Sequence, residues 1–300
     1  MSLDEECAVG MADAATLDAI GAGAHACLTF TDAEERLDLV AGFVRDGLRR
    51  REKVICWSDE LAPDALVKEL AARSVRPGAA LRRGQLSVSA AGDSPLVRSS
   101  VGAGTMVGLL SDEVERAETE GYDGLRVTLD MCCMTRPTAA ADQLAGFETD
   151  VASLFSDGRL CMICQYDRDR FDAVTLAFAA QMHPITVAAQ VYFESALLRI
   201  CRQYSPAGLR VAGEIDYRHT DEFEQALGET VRLDRRPYVH LDGVSYIDAA
   251  CAAVIVRAAS RLTESRRMTV SCGRLVATML DLVGGRDLPQ LRVRRVHGQS

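Results

Sequence analysis

The run LCMICQY (160–166) is apolar almost from end to end, so a strand made from it needs cover on both faces. Shorter strand runs precede it: AHACLTF (24–30), KVICW (53–57) and LRVTLD (125–130), the last closing on an acid. Helical periodicity fills the gaps. Leu37, Val40, Ala41, Val44 and Leu48 recur along 36–49, and further helices are expected over 61–72, 105–120, 138–155 and 171–180. Strands of this kind, alternating with helices, predict an α/β fold on a mostly parallel sheet. Thr31-Asp32-Ala33-Glu34 has the spacing of a capping box ahead of the first helix. A short strand is expected over 85–89, and the Gly- and Ser-rich stretch 90–103 reads as a long surface loop.

Beyond His183-Pro184 the run 187–204 reads as a connecting helix, with Val187, Val191, Ala196, Leu198 and Cys201 inward. Ser205-Pro206-Ala207-Gly208 then breaks it and marks a domain boundary. The expected organisation is an arm over 1–20, a first domain over 21–185, a connecting helix and linker over 186–206 and a second domain over 207–300. That second domain repeats strand and helix: strand 209–212, helix 221–231, strand 238–241, a turn at Asp242-Gly243 and a run 244–247 ending at Asp248. Helix 250–262, strand 268–272, helix 275–283 and strand 291–295 complete it. Asp248 stands where a strand stops and a helix begins, the position at which a carboxylate caps unpaired N–H groups.

Composition narrows the class. Three hundred residues, 48% hydrophobic and 26% charged, are those of a globular protein large enough for two cores. No run approaches the length of a membrane span and the N-terminus MSLDEECAVG is acidic, which predicts a cytoplasmic protein without membrane attachment. The ten cysteines sit mostly in apolar runs and read as small buried hydrophobes, not disulfides. Cys161 and Cys164 fall on opposite faces of a strand, which spoils them as a chelating pair, and no metal site or cofactor is expected. Residues 207–300 carry 14 Arg against 12 acids, leaving the first 206 residues at −11 out of a total of −9. An acidic first domain repels a nucleic-acid backbone, and the small basic tail of Arg292, Arg294, Arg295 and His297 does not reverse that.

The second domain resembles a STAS domain, the fold of anti-sigma factor antagonists and of the cytoplasmic ends of sulfate transporters. The matching residues are LRVAGEID (209–216) and HLDGVSYIDAAC (240–251), with the apolar helix and the VSC strand following in order. The resemblance implies a docking surface at Asp216, Asp248, Ala249, Ala250 and Cys251 for an anti-sigma factor or another STAS-binding regulator. In antagonists the strand-ending Asp is followed by hydroxyl residues, the second of which is phosphorylated. Here Ala249 and Ala250 stand there, so that switch is erased. The family usually opens with a strand ahead of the LRVAGEID-like one, and the helical look of 187–204 suggests that strand is missing or replaced.

The first domain resembles the MEDS domain, a sensory module thought to sense small molecules. GAHACLTFTDAEE (23–35), FVRDGLRRREKVICWSDE (43–60), GYDGLRVTLDM (121–131), Phe147-Glu148, CQYDRDRF (164–171) and His183-Pro184 carry the match. A relation of MEDS to RecA-like ATPases implies a RecA-like sheet. The loop after the first strand, Thr31 to Glu35, nevertheless has no GxxxxGK[ST] and offers three carboxylates, which argues against nucleotide hydrolysis.

Ligands of open parallel sheets bind at the C-terminal strand ends. That edge is expected to gather Trp57, Asp59, Asp130, Met131, Tyr166 and His183, with Asp130 as buried acceptor, Tyr166 as aromatic wall and His25 a weak member. The expected protein is a non-enzymatic regulator, a small-molecule sensor joined to a docking module and forming homo-oligomers. The alternatives are a hydrolase or redox sensor using Asp130, Cys132 and Tyr166, or a structural homodimerisation module.

Overall fold

A computed structural model describes residues 15–91, 103–135 and 141–296. Two expectations therefore lie outside the described residues in large part: the loop over 90–103, and the N-terminal arm before residue 15 with Cys7. His297 lies outside them as well.

The chain divides at Ala188/Ala189 into two compact units. The first is a parallel sheet in the order β3-β2-β4-β5-β1-β6. Its strands are β1 (His25–Phe30), β2 (Lys53–Ser58), β3 (Leu86–Ala90), β4 (Leu125–Asp130), β5 (Leu160–Asp167) and β6 (Ile185–Val187). Helices α1 (Ala33–Arg49), α2 (Pro63–Ala72) and α3 (Pro77–Arg82) belong to one half of the unit; α4 (Ala103–Thr119), α5 (Ala141–Val151) and α6 (Ala173–Met182) belong to the other. Asp32, not Thr31, caps α1, accepting from the N–H groups of Glu34 and Glu35. β4 and the seven residues 160–166 of β5 are buried on both faces, as a central parallel strand requires.

Strand alternation sorts the side chains into two layers. Leu125, Val127, Leu129, Met162, Cys164 and Tyr166 join Phe147, Val151 and Leu110 in one core. Val54 and Cys56 join Leu37, Val40, Ala41 and Val44 of α1 in the other. Each fully buried Leu, Val or Phe contributes roughly 1.5–3 kcal/mol of transfer free energy.

The second unit is a mixed sheet in the order β12-β11-β10-β9-β8-β7. It is made of β7 (Val191–Glu194), β8 (Leu198–Tyr204), β9 (Ala207–Ile215), β10 (Tyr238–Ile247), β11 (Met268–Cys272) and β12 (Leu291–Arg295). Its helices are α7 (Thr220–Leu233), α8 (Ala249–Ser260) and α9 (Arg274–Leu282).

Four expectations are corrected here. Residues 187–204 form no connecting helix: they finish β6 and then fold as the antiparallel pair β7–β8. The strand thought missing ahead of LRVAGEID is therefore present, as β8 paired antiparallel to β9. Ser205-Pro206, joined by a cis peptide bond, turns β8 into β9 and lies within the second unit, not at a boundary. Asp242-Gly243 makes no chain-reversing turn. It lies inside the continuous strand β10, where the register against β9 shifts between His240 and Gly243. Gly243 suits that irregularity because a Cβ there would come within 3.1 Å of the Ala212 Cβ.

Among the described residues no helix is long and apolar enough to cross a membrane. All nine described cysteines are free thiols and buried.

Candidate functional site

On the α5 side of the first sheet, five polar side chains converge in the core. Parallel pairing sets Cys27 opposite Cys164 and Thr29 opposite Tyr166, so His25, two residues before Cys27, shares their face. Glu148 reaches this layer from α5 with no solvent exposure, and His183 reaches it from the end of α6, just before β6. The Nε2 atoms of His25 and His183 each lie 3.5 Å from Glu148 Oε2. Cys164 Sγ is 3.8 Å from His25 Nε2. One donor atom from each of these four residues falls within 4.8 Å of the others, so together they could hold a metal ion.

The surroundings fix the orientation of these groups. Tyr166 donates its hydroxyl to Glu148 Oε1 at 2.8 Å. His183 Nδ1 lies 2.7 Å from the carbonyl oxygen of Ala179. A carbonyl can only accept, so Nδ1 carries the proton and Nε2 of the neutral ring presents a lone pair to Glu148. Phe155 stacks on His25 with centroids 4.4 Å apart, and the His25 and His183 rings are 4.1 Å apart.

Electrostatics agree. Burial, helped by the neighbouring His183, pulls His25 down to about 3. Burial also pulls His183 down to about 4, against the opposing bond to Ala179. Burial pushes Glu148 up to about 7, although the Tyr166 hydroxyl favours its charged form. Both rings are thus neutral near pH 7, and their contacts with Glu148 are not ion pairs. Cys164 is raised well above an ordinary thiol, by burial first and then by Glu148.

The expected ligand edge is split. Asp130, fully buried at the end of β4, is taken up by structure: Arg36 Nη2 donates to its Oδ2 at 2.7 Å, and the N–H groups of Asp59, Glu60 and Cys132 donate to the same carboxylate. Arg36 also holds Gln165 and Glu60. Burial opposes the charge of Asp130, but the Arg36 guanidinium and these N–H donors outweigh it and hold the carboxyl below its ordinary value. Asp130 pairs in register with Gln165, so it projects from the face opposite Tyr166. Met131 is buried beside it in sequence, in the α5-side core. The Asp59 side chain is nearly buried, with Arg170 Nη1 4.0 Å away. Trp57 is buried in the same core as Met131 and Tyr166 and also lines an open groove of about 740 Å³ with Lys53, Glu113, Glu120 and Tyr122.

Of the six expected ligand residues, only Tyr166 and His183 enter the buried cluster, their rings 6.0 Å apart. Asp130 and Tyr166 project from opposite faces of the sheet, with Cys132 in the core of Tyr166. Burial first, then Asp130, pushes the Cys132 thiol up to about 12, the wrong direction for a reactive thiolate. His25 is only a weak member of the expected edge, Cys164 is read as half of a spoiled chelating pair, and Glu148 enters through the family match without a role. Glu148 left a signal: Phe147, Glu148 and Val151 fall on one face at helical spacing, and all three are buried. Cys161 is excluded from the cluster, while Cys164 meets partners from other elements.

In the second unit the C-terminal ends of the adjacent strands β9 and β10 bring Asp216 and Asp248 together. Asp248 caps α8, accepting from Cys251 N at 2.9 Å, and its other oxygen accepts from Tyr217 N at 2.7 Å. Asp216 is held by Arg218 and accepts from its N–H at 3.0 Å. Ala249 and Ala250 are exposed on the first turn of α8, and Cys251 is buried with its thiol donating to the Asp216 carbonyl.

Residues 24–184 match the family described as MEDS, the MEthanogen/methylotroph, DcmR Sensory domain. Among solved structures, the flagellar accessory protein FlaH from Methanocaldococcus jannaschii is similar over 61% of this chain and 79% of its own, at 13% identity and a TM-score of 0.44. No curated protein matches.

Proposed function

The chain belongs to the MEDS family, whose members are sensory, non-catalytic modules, and from that premise we propose a two-part regulator. Its first unit receives a chemical signal, and its second, STAS-like unit docks an anti-sigma factor or a related STAS-binding protein. The observation that carries the first half is a family match spanning the same residues as the buried His25–Glu148–Cys164–His183 cluster. Polar groups sealed in a core are costly to bury, and a cluster of them points to a binding role. The all-parallel order β3-β2-β4-β5-β1-β6 supports a RecA-like reading of that unit.

The second half is supported by the placement of the docking residues. Asp216 and Asp248 meet at one end of the sheet, and Ala249 and Ala250 stand exposed where a phosphorylatable pair would stand. With methyl groups there, docking is constitutive and not gated by phosphate.

The test is affinity capture from the source cells with the full chain, beside an Ala250→Arg variant. Because Ala250 is exposed, the arginine leaves folding intact and obstructs only a partner. Recovery of an anti-sigma or STAS-binding protein by the parent chain, abolished in the variant, is the expected result. Capture of neither class, or equal capture by both chains, overturns the docking half.

A further inference from the structure

We infer that His25, Glu148, Cys164 and His183 form a closed binding site for a late first-row divalent transition ion, with zinc as the type. The inference stands on side-chain geometry and does not depend on the sensory reading.

Distances come first. Zn–N bonds of about 2.0–2.1 Å and Zn–S bonds of about 2.3 Å put the donor atoms of a tetrahedral site roughly 3.3–3.7 Å apart. The two imidazole–carboxylate separations are 3.5 Å and the thiol–imidazole separation is 3.8 Å. The four donor atoms together lie within 4.8 Å of one another, so a modest contraction closes them on one ion.

The donor set is the second argument. Two imidazoles and a thiol suit zinc and its neighbours, whereas magnesium and calcium want oxygen. Binding converts Cys164 to thiolate and Glu148 to carboxylate, their protons passing to water. Their two negative charges then balance the two positive charges of the ion, leaving a neutral centre in the core.

The third argument is the orphaned atoms. Glu148 Oε2 and His183 Nε2 are buried and make no hydrogen bond among the described residues. Buried polar atoms nearly always have a partner, and these two face the same point. Around them is the outer shell a metal site uses: Nδ1–H of His183 donates to a backbone carbonyl, and Tyr166 donates to the second oxygen of Glu148. Tyr166 is therefore a positioning residue that aims Oε2 inward.

The full chain, purified without chelators, is expected to carry close to one equivalent of zinc or a neighbouring ion by elemental mass spectrometry. Loading with cobalt(II) alone is expected to give intense visible d–d bands and a thiolate-to-cobalt charge-transfer band. Cys164→Ser should lose the charge-transfer band, and Tyr166→Phe should weaken zinc roughly 10–100-fold. Cys161→Ser, altered on the other face of the same strand, should match the parent chain. Should a variant fail to fold, as circular dichroism would reveal, the cobalt spectrum of the parent chain still decides. A parent chain that neither retains nor takes up zinc or cobalt overturns the inference, as does a cobalt spectrum without a sulfur band. Either result leaves the family membership and the docking test untouched.

Discussion

Asp130 shows how a strand-ending acid in an α/β sheet serves the fold before it serves a ligand. Its carboxylate neutralises Arg36, which is itself buried, and ties β4 to α1 and to the Ser58–Glu60 segment. Replacing Asp130 with Asn keeps the shape but leaves the buried guanidinium with Glu60 as its remaining carboxylate, so the loss should lie at or below the about 3–5 kcal/mol of a fully orphaned partner. Urea denaturation of Asp130→Asn should show that loss, and a midpoint within error of the parent would refute the latch. The sign with pH follows from the depressed carboxyl. The stabilisation is complete above the unfolded-state value and is lost as pH falls through the folded one, so the variant should lack that part of the acid sensitivity. The sequence made Asp130 visible as an acid at a strand end but hid the face it occupies. That face is set by pairing Asp130 with Gln165, a contact between residues far apart in the chain. The same ignorance of register let His25 pass as a strand-start residue and Cys164 as half of a failed CxxC. Both meet Glu148 only after β1, β5 and α5 are assembled.

Elements with a single strong period were legible. The apolar strands and α1, α7 and α8 lie within a few residues of where periodicity put them, because their burial follows directly from sheet and helix geometry. The β7–β8 pair was not legible, for a physical reason. Val191, Leu198 and Cys201 fit a helical spacing as well as a strand one, and only pairing with β9 decides between them. On its other side β9 meets β10 at Gly208. A Cβ there would lie 1.8 Å from the carbonyl oxygen of Tyr238, so β9 and β10 approach at a distance that only glycine permits. Gly208→Ala must push two backbones apart at the centre of the sheet, and we expect a loss of roughly 2–3 kcal/mol, the scale of core overpacking. Thermal unfolding checks this. A melting temperature equal to that of the parent chain would mean that the strands have slack the distance does not suggest.

At the scale of the molecule, the proposed receiver and the proposed docking unit amount to a sensor only if a change in one alters binding by the other. Allosteric coupling is a free energy, typically giving a 5–150-fold change in affinity, roughly. Glu148→Gln supplies a probe confined to the first unit: it is nearly isosteric, and it removes the carboxylate at the centre of the buried cluster. Once a partner has been captured, its affinity should be measured for the parent chain, for Glu148→Gln and for Ala250→Arg. Ala250→Arg should abolish binding by direct obstruction. Glu148→Gln, which changes nothing in the second unit's sequence, should shift the affinity by a factor within the coupling range. An unchanged affinity in Glu148→Gln, alongside loss in Ala250→Arg, would mean two modules sharing a backbone without communicating. The chain would then be a constitutive scaffold, since Ala249 and Ala250 offer no hydroxyl through which phosphorylation could supply the control instead.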